Sequence, residues 1–214
     1  YPIIISSNAL VDLESFCEGY AEENIAVICD EYFHKSNNSS YQELDRFLSK
    51  YKVLHLPGGI ESKGLDGYSK AMSWLLDKQL PRDGLIVAIG GGVIGDLTAF
   101  IASTYMRGIG LALVPTTTTS MIDSAIGGKT GINFKDQVNA IGTYYNPKAV
   151  FMDIRFLLTL NNRDYYAGIC EAIKMSITSD ACQARKLMDE SNKLSAQNRD
   201  VQSLINLVIW STKI

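Results

Sequence analysis

Leu85-Ile86-Val87-Ala88-Ile89 runs directly into Gly90-Gly91-Gly92-Val93-Ile94-Gly95-Asp96. An apolar run without alternation reads as a strand buried on both faces, which requires a sheet covered by helices on each side. A glycine turn that leaves such a strand and opens a helix is the joint of a parallel βαβ unit. Further short apolar runs lie at Ile3–Ile5, Ile25–Cys29, Lys52–Leu56, Leu111–Val114 and Ala149–Met152. Amphipathic stretches at Leu10–Tyr20, Tyr41–Lys50, Gly67–Asp77 and Gly95–Tyr105 are candidate helices. The alternation predicts an α/β fold, with a Rossmann-like parallel sheet over residues 1–155. After Phe156 glycine becomes rare, and Val201, Leu204, Ile205, Val208 and Thr212 recur at helical spacing. Residues 156–214 therefore read as the start of an all-helical domain. The pattern stops at Ile214 without a helix stop signal and opens at Tyr1 rather than Met, so the expectation is a chain cut short.

With 46% hydrophobic and 20% charged residues the chain is globular rather than disordered. A net charge of −3 gives no general basic field, which argues against a nucleic-acid partner. No run approaches a membrane-spanning length and no signal peptide is seen, so the expected compartment is the cytoplasm. The cysteines form no CxxC pair, and Cys29 and Cys170 are expected to pack as small buried hydrophobes.

Gly90-x-Gly92-x-x-Gly95 can bring backbone N–H groups and a helix N-terminus against a pyrophosphate, or it can be a tight turn without a ligand. An acidic residue about twenty positions on would normally hold ribose hydroxyls. None follows here, and Asp30, at the end of an earlier strand, is the candidate, unless it only caps a helix. Asp96 falls in a first helical turn, where a carboxylate is favoured with or without a ligand. Thr116 to Thr119 follow Pro115 at a strand exit, either facing a ligand or capping the next helix.

Gly127-Gly128-Lys129 lacks the spacing of a kinase-type phosphate loop. It reads instead as a loop that sets a lysine beside a small anion. Arg107 could add a bidentate fork, or be a solvated helix-end residue. Glu171 and Lys174 share one helix face, as a surface pair or as a metal-binding carboxylate beside a substrate-binding lysine. His34 and His55 are expected to be surface or satisfied interior residues rather than metal ligands.

These segments, in this order, resemble the 3-dehydroquinate synthase family within the sugar-phosphate cyclases. The resemblance runs from Ala88 to Asp180 through GGGVIGD (90–96), YMRG (105–108), VPTT (114–117), IDS (122–124), GGKTGIN (127–133), NAIG (139–142) and GICEAIK (168–174). A weaker likeness reaches back through Gly58–Lys63 to Asp30. It implies a nucleotide domain followed by a helical domain, with the active site in the cleft between them. It also implies NAD, a divalent metal (zinc, with cobalt as the alternative), a phosphorylated sugar acid as substrate, and a homodimer. By this resemblance Asp30, Lys63, Gly92, Val93, Ile94, Gly95, Asp96, Thr116, Thr117, Phe156 and Thr159 contact NAD. Arg107, Asp123, Lys129, Asn139, Lys174 and Lys213 line the substrate site, with Lys129 also reaching the cofactor, and Glu171 is a metal ligand.

The chain departs from the family's pattern at three points. The family's two metal-binding histidines lie past the point where this chain stops. Val138 stands where the family carries a lysine, and Ile60 stands where it carries a glutamate. These changes keep open a sister cyclase acting on sedoheptulose 7-phosphate, or a non-catalytic NAD-binding remnant. An iron-dependent alcohol dehydrogenase-like oxidoreductase is a further reading from another class.

Overall fold

The computed structural model describes residues 1–36, 38–179 and 181–213; Asp180, where the resembling run ends, and Ile214 lie outside the described residues. In chain order the elements are β1 (Ile3–Ser6), α1 (Ala9–Cys17), β2 (Ile25–Asp30), α2 (Glu31–Lys35), α3 (Gln42–Leu48), β3 (Lys52–Leu56), α4 (Leu65–Asp77), β4 (Leu85–Gly90) and α5 (Gly92–Thr104). They continue with β5 (Gly110–Pro115), β6 (Lys129–Phe134), β7 (Gln137–Tyr144), β8 (Ala149–Asp153), α6 (Arg155–Thr159), α7 (Asn162–Ser179), α8 (Ala181–Asp189) and α9 (Val201–Ser211). A π-helical turn, Ser120–Ser124, follows β5.

Six strands form one parallel sheet in the order β1-β8-β5-β4-β2-β3. β4 is buried along its whole length, as an unalternating apolar run requires. Its Leu85, Ile86, Val87 and Ile89 are fully enclosed, each stabilising the fold by about 1.5–3 kcal/mol. The chain reverses out of α5 through Met106 and Arg107, both at positive φ (49° and 69°), before entering β5. Tyr105 is buried just ahead of that reversal, and its hydroxyl donates to the Leu80 carbonyl at 2.7 Å.

The six sheet strands and the helical tail match the sequence expectations. The segment at Gly127–Asn133 does not, because from Lys129 it is the first strand of an antiparallel hairpin, β6–β7, separate from the main sheet. Only the approach to it is a turn, with Gly127 and Gly128 at φ 86° and 71°. The hairpin is tied to α5 by Thr143, whose hydroxyl donates to Ser103 Oγ at 2.9 Å. α5 begins at Gly92 rather than Gly95, which places the glycine turn inside its first turn. Cys29 is buried as expected, but Cys170 is exposed on α7, and Cys17 is the second buried thiol.

Candidate functional site

β3 and β4 lie on opposite sides of β2, so the sheet order reverses there. Ligands of open α/β sheets bind outside the carboxyl ends of the strands at such a reversal. A cavity of about 410 Å³ lies at this place. Its wall is built from strand exits: Asp30 after β2, Gly58 after β3, Gly91 to Val93 after β4, Thr116 and Thr117 after β5, and Phe156 and Thr159 after β8.

Asp30 does two things at once. One carboxylate oxygen accepts the Tyr32 N–H at 3.0 Å and caps α2, while the residue faces the cavity. Burial pushes its pKa up, and the N–H groups of Tyr32 and Gly58 oppose that rise. A Cβ on Gly58 would lie 2.1 Å from the Asp30 carboxylate, so a side chain there would displace that carboxylate.

At the other side of the cavity α5 starts with Gly91 as its cap residue and no side chain closing the end. The N–H of Gly95 bonds the Gly91 carbonyl at 3.0 Å, whereas Gly92, Val93 and Ile94 present the unpaired donors of a first helical turn. Such an end attracts an anion by its free N–H groups and by the helix dipole. Ile94 can contribute only backbone, because its side chain is fully buried and a Cβ on Gly90 would come within 2.8 Å of it. At Gly95 a Cβ would meet nothing within 4 Å.

Thr117 behaves as the polar-loop reading foresaw: it exchanges hydrogen bonds with Ser120 and closes the turn after β5. Thr118 is fully buried beneath Gly168 of α7, with its hydroxyl unpartnered. The far wall is aromatic. Phe33 meets Tyr41 and Phe156 edge-on at centroid distances of 5.0 and 5.5 Å. The Tyr41 hydroxyl donates to Thr159 Oγ1 at 2.7 Å. Tyr32, Phe33, Tyr41 and Gly58 were not singled out from sequence for this cavity. Gly58 carried a signal as a glycine after a strand, but nothing local marked the aromatic residues.

One helical turn along α5 from Gly92, Asp96 faces a second cleft of about 370 Å³, shared with Lys129, Thr130, Asn139 and Tyr144 of the hairpin. The buried Lys63 reaches the edge of this cleft and donates to Asp96 Oδ2 at 2.5 Å and to Asn139 Oδ1 at 2.6 Å. Burial raises the pKa of Asp96, Lys63 works against that rise, and the nearby Asp123 charge adds to it. Lys63 and Asp96, expected on the cofactor, thus meet Asn139 at the second cleft rather than lining the first cavity.

Asp123, in the π-helical turn, also helps hold up the pKa of Lys174 on α7, although the bonded Glu171 carboxylate is the larger cause. Glu171 and Lys174 form the ion pair that their spacing allowed. Among the described residues no group of three His, Cys, Asp or Glu could hold a metal. Arg107 and Lys213 are both exposed and make no side-chain bond to the other candidates among the described residues. His34 and His55 stack on each other at 4.6 Å, on α2 and β3.

A family model described as 3-dehydroquinate synthase N-terminal matches residues 53–167. The chain belongs to the 3-dehydroquinate synthase family. Similar proteins include the 3-dehydroquinate synthase of Alkaliphilus oremlandii (strain OhILAs), 38% identical over 96% of this chain and 56% of that protein. Another is the 3-dehydroquinate synthase of Staphylococcus saprophyticus subsp. saprophyticus, 37% identical over 97% of this chain and 55% of that protein. The chain therefore spans about half the length of these relatives. Among solved structures, ValA (2-epi-5-epi-valiolone synthase) from Streptomyces hygroscopicus subsp. jinggangensis 5008, with NAD+ and Zn2+ bound, superposes with a TM-score of 0.87. It covers 100% of this chain and 59% of its own length at 23% identity, a likeness of fold alone. A 2-deoxy-scyllo-inosose synthase complexed with carbaglucose-6-phosphate, NAD+ and Co2+ is 28% identical, with a TM-score of 0.67 over 80% of this chain and 47% of that one. No helix among the described residues is long and apolar enough to cross a membrane.

Proposed function

We propose that the whole protein is a 3-dehydroquinate synthase, converting 3-deoxy-D-arabino-heptulosonate 7-phosphate to 3-dehydroquinate and phosphate in the shikimate route. The observation that carries this reading is the sharing of α5: its uncapped first turn borders the cavity, and Asp96 one turn later borders the polar cleft. A cofactor and a phosphorylated substrate would thus lie against one rigid helix.

The cavity fits NAD. The open α5 terminus suits its pyrophosphate, Asp30 its ribose hydroxyls, and the aromatic wall a planar ring. Bound in this cavity, NAD would supply reversible hydride transfer without net turnover. The protein's own part is to hold the acid substrate by its two anionic ends. Lys129 and Asn139 line the cleft as a cation and a neutral donor, and Lys174 and Arg107, outside its lining, are the further cations that the family resemblance assigns to the substrate. Cations gathered around the departing phosphate dianion would lower the barrier to its loss.

A metal is a different matter. Glu171 is the candidate ligand for zinc or cobalt, but the described residues do not supply the further ligands that would complete a site. A homodimer working in the cytoplasm completes this proposal and rests on the family resemblance.

A second reading has one observation behind it. Val138, where the resemblance places a lysine, is 69% exposed on β7 beside Asn139. The loss of a cation there favours a neutral sugar phosphate over a sugar acid. The test is phosphate release by the full-length protein, with NAD and zinc, from 3-deoxy-D-arabino-heptulosonate 7-phosphate and separately from sedoheptulose 7-phosphate. Release from the acid without NADH build-up is the expected result. Release only from the neutral sugar selects the sister cyclase, steady NADH formation selects a dehydrogenase, and release from neither selects an NAD-binding remnant.

A further inference from the structure

The β6–β7 hairpin holds its cleft residue in an unusual way. Ile132 pairs with Ile141 and Phe134 with Gln137, so Asn133 alone on β6 faces Val138, Asn139 and Ala140 on β7. The excess on β7 is a bulge, and bulges re-aim a side chain at the expense of regular pairing. Asn139, at its centre, takes a φ of +54°, in the left-handed region that asparagine tolerates better than other residues with a Cβ.

What holds it there is a closed ring. The Asn139 N–H donates to Asn133 Oδ1 at 2.9 Å. The Asn133 N–H donates to the Lys63 carbonyl at 2.7 Å. Lys63 Nζ returns to Asn139 Oδ1 at 2.6 Å, and its other bond goes to Asp96. With Oδ1 committed to Lys63, the Asn139 carboxamide has its two N–H donors left for the cleft. Asn133 itself is half-buried and is not part of the cleft wall.

We propose that Asn133 is a positioning residue for the substrate cleft: it acts through Asn139 and Lys63, and touches no substrate. This rests on the reading of the cleft as the phosphorylated substrate's site. A hydrophobic residue of similar size cannot accept the Asn139 N–H and opens the ring at one point. An aspartate keeps the acceptor and closes it again.

The experiment compares full-length wild type, Asn133→Leu and Asn133→Asp by KM for the acid substrate, kcat, NAD affinity and exchange of the Asn139 amide by NMR. Asn133→Leu is expected to raise KM about tenfold, the scale of one lost hydrogen bond, and to expose the Asn139 amide to exchange. NAD affinity is expected to stay within about twofold, because the cofactor cavity contains none of the ring's residues. Asn133→Asp is expected to restore both KM and amide protection. An unchanged KM in Asn133→Leu, no recovery in Asn133→Asp, or a parallel loss of NAD affinity would each overturn the proposal. If wild type itself releases no phosphate, the functional reading fails, while the ring is still decided by Asn139 exchange in the three proteins.

Discussion

Replacing Asp30 by asparagine is expected to weaken cofactor binding while leaving the unliganded protein at least as stable at pH 7. The carboxylate is partly buried, its pKa is raised chiefly by that burial, and it forms no ion pair with a cation among the described residues. A carboxyl group whose pKa is raised by folding favours the folded state while it is protonated. That contribution is fully present below the unfolded pKa of about 3.9 and is lost as pH rises through the folded value. Above it, the buried charge is a constant burden, which the neutral amide removes. Asparagine keeps the Oδ1 acceptor for the Tyr32 N–H and caps helices as well as aspartate does, and the bond it loses to the Gly58 N–H offsets only part of the gain from removing the buried charge.

Binding moves the other way. A carboxylate can accept from both ribose hydroxyls in charge-assisted bonds worth about 1.5–3 kcal/mol, and the amide presents a donor where one acceptor stood. The expected loss is of the same size, so NAD affinity falls by about tenfold to 150-fold. NADP gains relative to NAD, since a 2′-phosphate no longer faces a carboxylate. Calorimetric NAD titration with thermal melts at pH 4 and pH 7 decides it. A melting point that drops at pH 7 while NAD affinity stays unchanged would refute the reasoning, leaving Asp30 a structural cap only.

Lys63→Met leaves the Asp96 carboxylate half-buried without its cation and is expected to destabilise the protein by about 1–3 kcal/mol in denaturant titration at pH 7. Lys63 lowers the Asp96 pKa, so without it that pKa rises further and the difference between variant and wild type must shrink as pH falls to 4. A difference that grows on acidification would sink the assignment. Gly168→Ala would set a Cβ 2.3 Å from Thr118 Cβ and 2.6 Å from the Thr119 nitrogen, so α7 has to move off the strand exit. Overpacking of this kind costs about 1–3 kcal/mol, and an unchanged unfolding midpoint would show that α7 is free to shift.

The six strands of the main sheet were legible because each is an apolar run bounded by turns. β7 was not legible, because all eight of its residues are exposed and no buried face imposes an alternation on the sequence. Its partner β6 carries glycine where a strand normally carries a branched side chain. Gly131 pairs with Gly142, and a Cβ on Gly142 would stand 2.1 Å from the Thr130 carbonyl oxygen. The hairpin therefore uses glycine for close approach, and that composition reads as loop in sequence. Cys170 misled for a related reason: an apolar neighbourhood in sequence does not fix which face of α7 a residue occupies.

At the site, the legible residues are those whose role follows from their place on one element. Asp30 closes a strand, and the glycine turn opens a helix. Lys63 is 33 positions from Asp96 and 76 from Asn139, so no local pattern could join them. Yet half of that connection was present in a spacing. Gly92 and Asp96 are four apart, which on an α-helix sets them one above the other. The same helix thus carries the Asp96 carboxylate one turn beyond the first cavity, at the second cleft, and a buried carboxylate needs a cation or a proton. That requirement is a reason to look for a lysine brought in from elsewhere in the fold. Lys63 meets that requirement from the segment between β3 and α4, bonding Asp96 on α5 and Asn139 on the hairpin together.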